Sequence, residues 1–252
     1  EEDILDFSAN ISPLGLPEHI RQAMVKAIDQ TINYPDPDCS RLKEAISKED
    51  AVSETKIACG NGGADLLYRL AFGLHPKKVL LPAPAFVEYE EALSAAGAQM
   101  EYYLMRDDFV IKEDILEQIT EETDFVVICN PNNPTGHAIS KLEMIQICEA
   151  FSNIPVIFDE AYMEFGNESA IDLLKTYPMV FVCRTLSKAY GLAGIRCGFM
   201  ISSQVEKLAP LFIPYALRSV TQTIASVVLR HADAYKSNIA TIIQKEKEYT
   251  EK

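Results

Sequence analysis

Phe125-Val-Val-Ile-Cys129 runs directly into Asn130-Pro-Asn-Asn-Pro-Thr-Gly136. A continuous apolar run without alternation suits a strand covered on both faces, and the prolines and asparagines behind it make a rigid polar turn. The pairing recurs twice. Val156-Ile-Phe158 leads into Asp159-Glu-Ala-Tyr162, and Val180-Phe-Val-Cys183 leads into Arg184-Thr-Leu-Ser-Lys188. Upstream, strands are predicted at Lys78–Pro82 and Met100–Leu104, on either side of a helix at Phe86–Ala96. Helices are also expected near Glu18–Gln30, through Leu42 and Ile46, and after Gly60-Asn-Gly-Gly63, where Leu66, Leu67, Leu70 and Phe72 recur at helical spacing. Three more close the chain, at Gln204–Ala209, Ser219–Arg230 and Ala232–Lys252. Strands separated by helices predict an α/β fold, a three-layer α/β/α sandwich with a mostly parallel central sheet. Its ligands would sit at the carboxyl ends of the strands.

Composition bounds the rest. At about 150 residues per domain, 252 residues fall between one domain and two. Hydrophobic residues make up 48% and charged residues 24%, which excludes a disordered or collagen-like chain. Lys and Arg number 23 against 37 Asp and Glu, a net charge of −14. Such a surface repels phosphate backbones and anionic lipid, so no nucleic-acid or membrane partner is expected, and an anionic ligand must be caught by a few donors inside a cleft. No apolar run approaches the ~18–20 residues of a membrane helix, and Glu1-Glu2-Asp3 does not resemble a signal peptide. The six cysteines (Cys39, Cys59, Cys129, Cys148, Cys183, Cys197) lack CxxC spacing, and the four inside apolar runs read as buried small hydrophobes of a reducing, cytoplasmic protein. The histidines (His19, His75, His137, His231) are scattered, so no metal site is predicted. Internal repeats, a low-complexity linker and a G-x-S-x-G elbow are all missing from the sequence.

Several residues carry chemistry. Lys188 follows a strand and is surrounded by small and hydroxylated neighbours, with Gly191 and Gly194 close behind. Most lysines are solvated surface charges, but one partly withdrawn from water becomes a nucleophile able to form a Schiff base. Asp159 ends another strand. It reads either as a turn acid or as the partner of a cation such as a pyridinium nitrogen. Tyr162 is either packing or a phenol that hydrogen-bonds a ligand oxygen. Gly60-Asn-Gly-Gly-Ala64 opens a helix whose leading amides could hold a phosphate, although it is neither a Walker loop nor GxGxxG, since Asp65 stands in the last glycine's place. Arg196, eight residues after Lys188, could supply a fixed cation to the same anion.

From Asp6 to Arg196, these elements in this order resemble the aminotransferase class I/II family of fold-type-I pyridoxal-phosphate enzymes. The matching stretches are the Gly-rich turn, the aromatic after Pro84, Asn130–Gly136, Asp159-Glu-Ala-Tyr162 and Ser187-Lys-Ala-Tyr-Gly-Leu-Ala-Gly-Ile-Arg196. The segment Thr185–Arg196 is particularly similar to histidinol-phosphate aminotransferases. Asp6-Phe-Ser-Ala-Asn-Ile-Ser-Pro-Leu-Gly15 and Pro84-Ala-Phe-Val-Glu-Tyr-Glu90 are more like L-threonine-O-3-phosphate decarboxylases.

The resemblance implies pyridoxal 5′-phosphate as cofactor and assigns roles residue by residue. Lys188 would tether the cofactor and then act as base on the substrate's Cα. Asp159 would pair with the ring nitrogen, Asn133 and Tyr162 would hold the ring's phenolic oxygen, and Phe86 would stack on its face. Amides of Gly62, Gly63 and Ala64, with Thr185, Ser187 and Arg196, would hold the phosphate. Tyr34 would reach the neighbouring subunit's cofactor, implying a homodimer. Ser8, Ala9 and Asn10 would lie over a small amino-acid substrate, itself expected to be phosphorylated. Arg218 stands where a neutral residue is expected, either touching an anionic substrate group or serving as a surface charge. The implied organisation is an arm and first helix over 1–33, a cofactor-binding large domain over 34–230, and over 231–252 the start of a helix leading to a small domain. That small domain, with its carboxylate-gripping arginine, is absent from these 252 residues.

The implied reaction is transamination, favoured by the likeness around Lys188. The alternative is decarboxylation of threonine phosphate, and the remote one is an effector-sensing domain of a transcription regulator.

Overall fold

The unalternating apolar runs are buried on both faces of one sheet. In the computed structural model, which describes residues 9–106, 110–111, 113–118, 120–166 and 168–250, Phe125 to Cys129 are all buried. Val126 and Ile128 join one hydrophobic cluster, whereas Phe125, Val127 and Cys129 join the cluster on the opposite face. Alternate side chains entering two separate cores is the physical reason the run shows no period of two.

The strands are β1 (Ile57–Gly60), β2 (Lys78–Ala83), β3 (Gln99–Leu104), β4 (Phe125–Cys129), β5 (Val156–Asp159), β6 (Val180–Thr185) and β7 (Gly198–Ile201). They form a seven-stranded sheet in the order β1-β7-β6-β5-β4-β2-β3. Pairing is parallel from β3 through β6, while β7 runs antiparallel to both β6 and β1. The α/β, mostly parallel reading thus holds, with an antiparallel corner added. The helices are α1 (Glu18–Ala27), α2 (Ser40–Asp50), α3 (Gly63–Leu74), α4 (Glu88–Ala95), α5 (Lys141–Ala150), α6 (Ser219–Arg230) and α7 (Asp233–Thr250). Helices α3 and α4 cover one face through Leu66, Leu70, Tyr89 and Leu93, and α2, α5 and α6 cover the other through Leu42, Ile46, Met144, Ile147, Ile224 and Val228.

Some elements differ from expectation. The first helix is α-helical only to Ala27 and then tightens into a 3₁₀ turn, Ile28–Ile32. The expected helix at Gln204–Ala209 is a 3₁₀ segment, Val205–Leu211, containing Pro210, whose missing N–H cannot continue an α-helical ladder. Strands β1 and β7 and helix α5 have no counterpart in the sequence reading. All six cysteines are buried and free.

Two registers position the site. Cys129 pairs with Asp159, and Asp159 with Cys183, so β4, β5 and β6 end in one transverse row at their carboxyl edge. On the antiparallel side, Gly60 pairs with Gly198 and Thr185 with Gly198, which brings the turn after β1 beside the end of β6.

Candidate active site

Above that row lies a cavity of about 200 Å³. Its lining brings together ten of the residues predicted from sequence: Gly63, Ala64, Phe86, Asn133, Asp159, Tyr162, Thr185, Ser187, Lys188 and Arg196. They come from five separate segments, and each is delivered by the carboxyl end of a strand or by the loop behind it.

One end of the cavity is built for an anion. Helix α3 begins at Gly63 with no side chain capping its N-terminus, so its leading N–H groups remain for a ligand. Asp65 does not disrupt this turn. Its carboxylate accepts the Asn61 N–H at 2.8 Å and the Arg69 Nε–H at 3.0 Å, tying the loop to the helix. Gly62 is left-handed (φ 88°), and a Cβ there would lie 2.5 Å from Arg196 Nη2. The guanidinium therefore packs directly on the glycine's open face. Arg196 is itself left-handed (φ 52°) and donates Nη1–H to the Ala193 carbonyl at 3.2 Å. The hydroxyls of Thr185 and Ser187 lie 2.9 Å apart beside it, with Thr185 also donating to the Cys197 carbonyl at 3.0 Å.

The other end holds a half-buried carboxylate. Withdrawal from water pushes the Asp159 carboxyl above the usual carboxylate range. The Tyr89 hydroxyl, the Ala161 N–H and the Lys188 charge pull it back down, while Glu160 adds to the rise. Tyr89 O–H donates to Oδ2 at 2.7 Å, and Ala161 N–H donates to Oδ1 at 3.0 Å. Between the two ends, Lys188 Nζ lies 5.5 Å from the centroid of the Tyr162 ring. Among the described residues no carboxylate forms an ion pair with Lys188 or Arg196, and both line the cavity.

This arrangement fits pyridoxal phosphate on its own features. A phosphate needs amides, hydroxyls and a guanidinium at one end. A protonated ring nitrogen needs a carboxylate at the other, and an aldehyde needs an accessible amine between them.

A second cavity of about 550 Å³ shares Asn133 and Tyr162 with the first and is lined also by Asn10, Ser12 and Lys247. Asn10 Nδ2 donates to the Tyr162 hydroxyl at 3.2 Å, placing the predicted substrate residue against the cofactor side. Ala9 lines neither cavity, and Ser8 lies outside the described residues. Tyr34 is also outside the cavity. It is 86% exposed, with its ring 5.2 Å from that of Tyr215. Arg218 is exposed and precedes α6 without lining either cavity.

Two features escaped the sequence reading. Tyr89 stood inside a quoted stretch without a role. Glu160 and Arg184, inside Asp159-Glu-Ala-Tyr162 and Arg184-Thr-Leu-Ser-Lys188, form a buried brace behind the row. Arg184 donates Nε–H and Nη2–H to Glu160 at 3.0 and 2.9 Å and Nη1–H to Asp50 at 2.7 Å, locking β5 to β6 and to α2.

Known proteins agree with this geometry. The threonine-phosphate decarboxylase of Salmonella typhimurium is 31% identical over 91% of this chain and 65% of its own length. The histidinol-phosphate aminotransferase of Ruminiclostridium cellulolyticum is 33% identical over 95% of this chain and 70% of its own. The chain thus spans roughly two thirds of these relatives. A crystal structure of histidinol-phosphate aminotransferase from Sinorhizobium meliloti in complex with pyridoxal-5′-phosphate superposes with a TM-score of 0.85 at 26% identity, covering 94% of this chain and 67% of that one. The family model for aminotransferase class I and II matches residues 2–252, and the chain belongs to that family.

Proposed function

We propose that this chain is the cofactor-binding part of a pyridoxal-phosphate-dependent enzyme acting on an amino acid or amino-alcohol phosphate, with transamination of the histidinol-phosphate aminotransferase kind as its reaction. The observation that carries this reading is one cavity lined together by Lys188, the half-buried Asp159 carboxylate and the uncapped start of α3 at Gly63 and Ala64. Pyridoxal phosphate supplies an aldehyde that condenses with amines and a ring that accepts the electrons of a broken Cα bond.

The chain's residues do the remainder. Gly62, Gly63 and Ala64 amides, the Thr185 and Ser187 hydroxyls and the Arg196 guanidinium bind the phosphate. Asp159 accepts the ring N–H, the Asn133 and Tyr162 side chains hold the ring oxygen, and Phe86 covers one ring face. Lys188 would tether the cofactor through its aldehyde and would supply the amine that takes the substrate's Cα proton. Asn10 would border the substrate side. A homodimer accounts for Tyr34, whose exposed ring would complete the neighbouring site. Residues 34–230 would form the large domain and 231–252 the start of a helix leading out of it. No helix among the described residues is long and apolar enough to cross a membrane, and the six buried free cysteines support a cytoplasmic location.

Decarboxylation of threonine phosphate is the second reading, favoured by the Asp6–Gly15 and Pro84–Glu90 stretches and by the Salmonella relative. One experiment separates them. Full-length protein loaded with pyridoxal phosphate is given histidinol phosphate or threonine phosphate, each with a 2-oxo acid as amino-group acceptor. Keto-product formation without CO₂ supports transamination, and CO₂ release without a keto acid overturns it. In the same assay Lys188→Ala should abolish the cofactor's visible absorbance and lower turnover by at least about 10³-fold. An unchanged spectrum would remove the assignment altogether.

A further inference from the structure

Tyr89 is buried to 2% exposure on α4, among the side chains that cover one face of the sheet. Its hydroxyl spends its hydrogen bond on Asp159 Oδ2, at 2.7 Å. Oδ1 already takes the Ala161 N–H at 3.0 Å. Each carboxylate oxygen therefore has one fixed donor, which sets the rotation of the group about its Cβ–Cγ bond. Each oxygen keeps lone-pair capacity on a carboxylate that lines the cavity.

Among the described residues no other side chain hydrogen-bonds Asp159. Cys129 and Cys183 flank Asp159 in the strand-end row, but burial pushes the Cys129 thiol up to about 12 and the Cys183 thiol well above its ordinary value, so both stay neutral thiols. Cys129 turns its thiol to the Pro131 carbonyl at 3.2 Å. Glu160 is committed to Arg184, and Lys188 contributes charge without a hydrogen bond. Burial, and then the Asp159 charge, push the Tyr89 phenol well above its ordinary value, so it remains an O–H donor throughout the working range of pH. Tyr89 also touches the site a second way: the Phe86 ring meets it edge-on, with centroids 5.6 Å apart at 84°.

We infer that Tyr89 is the positioning residue for Asp159. Its hydrogen bond orients the carboxylate and weakens that carboxylate's hold on a proton, so that the proton shared with a bound pyridine ring rests on the ring nitrogen. This rests on the pyridoxal-phosphate reading above. It concerns a residue that touches Asp159 and Phe86, and it requires no contact of Tyr89 with the cofactor itself.

The test uses full-length protein carrying Tyr89→Phe, which keeps the ring and removes only the hydroxyl. Positive charge on the ring nitrogen repels the proton whose loss the cofactor's visible band reports. Losing the donor should therefore move the band's pH midpoint upward, in the same direction as Asp159→Asn but by less. Cofactor affinity, measured by equilibrium titration of the apoprotein, should fall roughly tenfold, the size of one charge-assisted hydrogen bond. Fluorotyrosine at position 89 is a more acidic donor of nearly the same shape and should move the midpoint downward, which keeps the test intact if the phenylalanine variant folds poorly. A midpoint unmoved in both variants, with only thermal stability altered, overturns the inference and leaves the cofactor reading standing. A parent protein that shows no visible band with pyridoxal phosphate overturns that reading instead.

Discussion

The two halves of the site are made by opposite means. On the parallel side, β4, β5 and β6 deliver side chains: Asn133, Asp159, Tyr162 and Lys188 all stand at or just beyond strand ends. On the antiparallel corner of β1 and β7, the site is made by side chains that are missing. A Cβ on Gly198 would lie 2.5 Å from the Gly62 carbonyl carbon and 2.7 Å from the Gly63 nitrogen. Strand β7 thus lets the backbone of the turn lie directly on it, and Gly62 then accepts the Arg196 guanidinium on its bare face. Reactive groups need identity and orientation, whereas a phosphate cradle needs closeness of backbone, which only glycine allows.

The corner should therefore be the more fragile half. In Gly198→Ala the added methyl meets three backbone atoms of the Gly62–Gly63 peptide and cannot rotate away, so the turn itself must shift. Cofactor affinity should fall at least about tenfold, with a stability loss of about 1–3 kcal/mol typical of overpacking. Titration of the apoprotein together with urea unfolding measures both. If Gly198→Ala binds cofactor as the parent does, the corner does not depend on bare backbone and the contrast between the halves is lost.

The difference also decides what could be read from sequence. The parallel half was legible because each strand is a buried apolar run followed at once by polar residues. The corner was not. Ile57–Gly60 and Gly198–Ile201 are each four residues long, the second begins with glycine, and they pair with each other from opposite ends of the fold. Gly62 could be named as a phosphate ligand from its loop, but its role as the surface on which Arg196 lies needs the contact. Tyr89 was hidden for a similar reason. An i, i+3 step from Phe86 announces only a shared helix face, while its partner Asp159 is 70 residues away.

The parallel half has a cost of its own, in the charges buried behind it. Glu164, just past β5, shares its surroundings with Asp50, Glu160 and the single guanidinium of Arg184. Burial is the main cause that lifts its carboxyl from 4.5 to about 7. Between those values the folded chain keeps a proton that the unfolded chain has released, so stability falls as pH rises through that window and the full penalty applies above it. Glu164→Gln removes the titration. It should match the parent near pH 4 and exceed it at pH 8 by about 1–3 kcal/mol, read from urea midpoints at the two values. A parent whose stability is flat across that range would mean the buried charges are neutralised in another way, and the parallel half would carry no such burden.

The smallest effect tests whether the parallel half tolerates loosening at a distance from its strand ends. Helix α5 follows the loop that carries Asn133, and it begins with a capping box. The Ser140 side chain accepts the Glu143 N–H, while Glu143 reaches back to the Ser140 N–H at 2.6 Å. The signature Ser140-Lys-Leu-Glu143 is visible in the sequence, yet the apolar residues behind it, Leu142, Met144, Ile145 and Ile147, are spread around the helix and define no clean stripe. Pattern alone therefore misses this helix, although its first turn is well specified. Ser140→Ala should cost about 1 kcal/mol in urea unfolding, because the leading Glu143 N–H loses its partner. Cofactor affinity should stay unchanged, because Asn130 and Asn132 hold the loop from within. Asn130 accepts the Ile139 N–H at 3.0 Å, and Asn132 donates to the Pro84 carbonyl at 3.1 Å and to Thr135 at 3.0 Å. A loss of affinity with this substitution would mean that the helix start, rather than those internal bonds, sets the position of Asn133, and that side chains at the strand ends depend on remote support as much as the glycine corner depends on close contact.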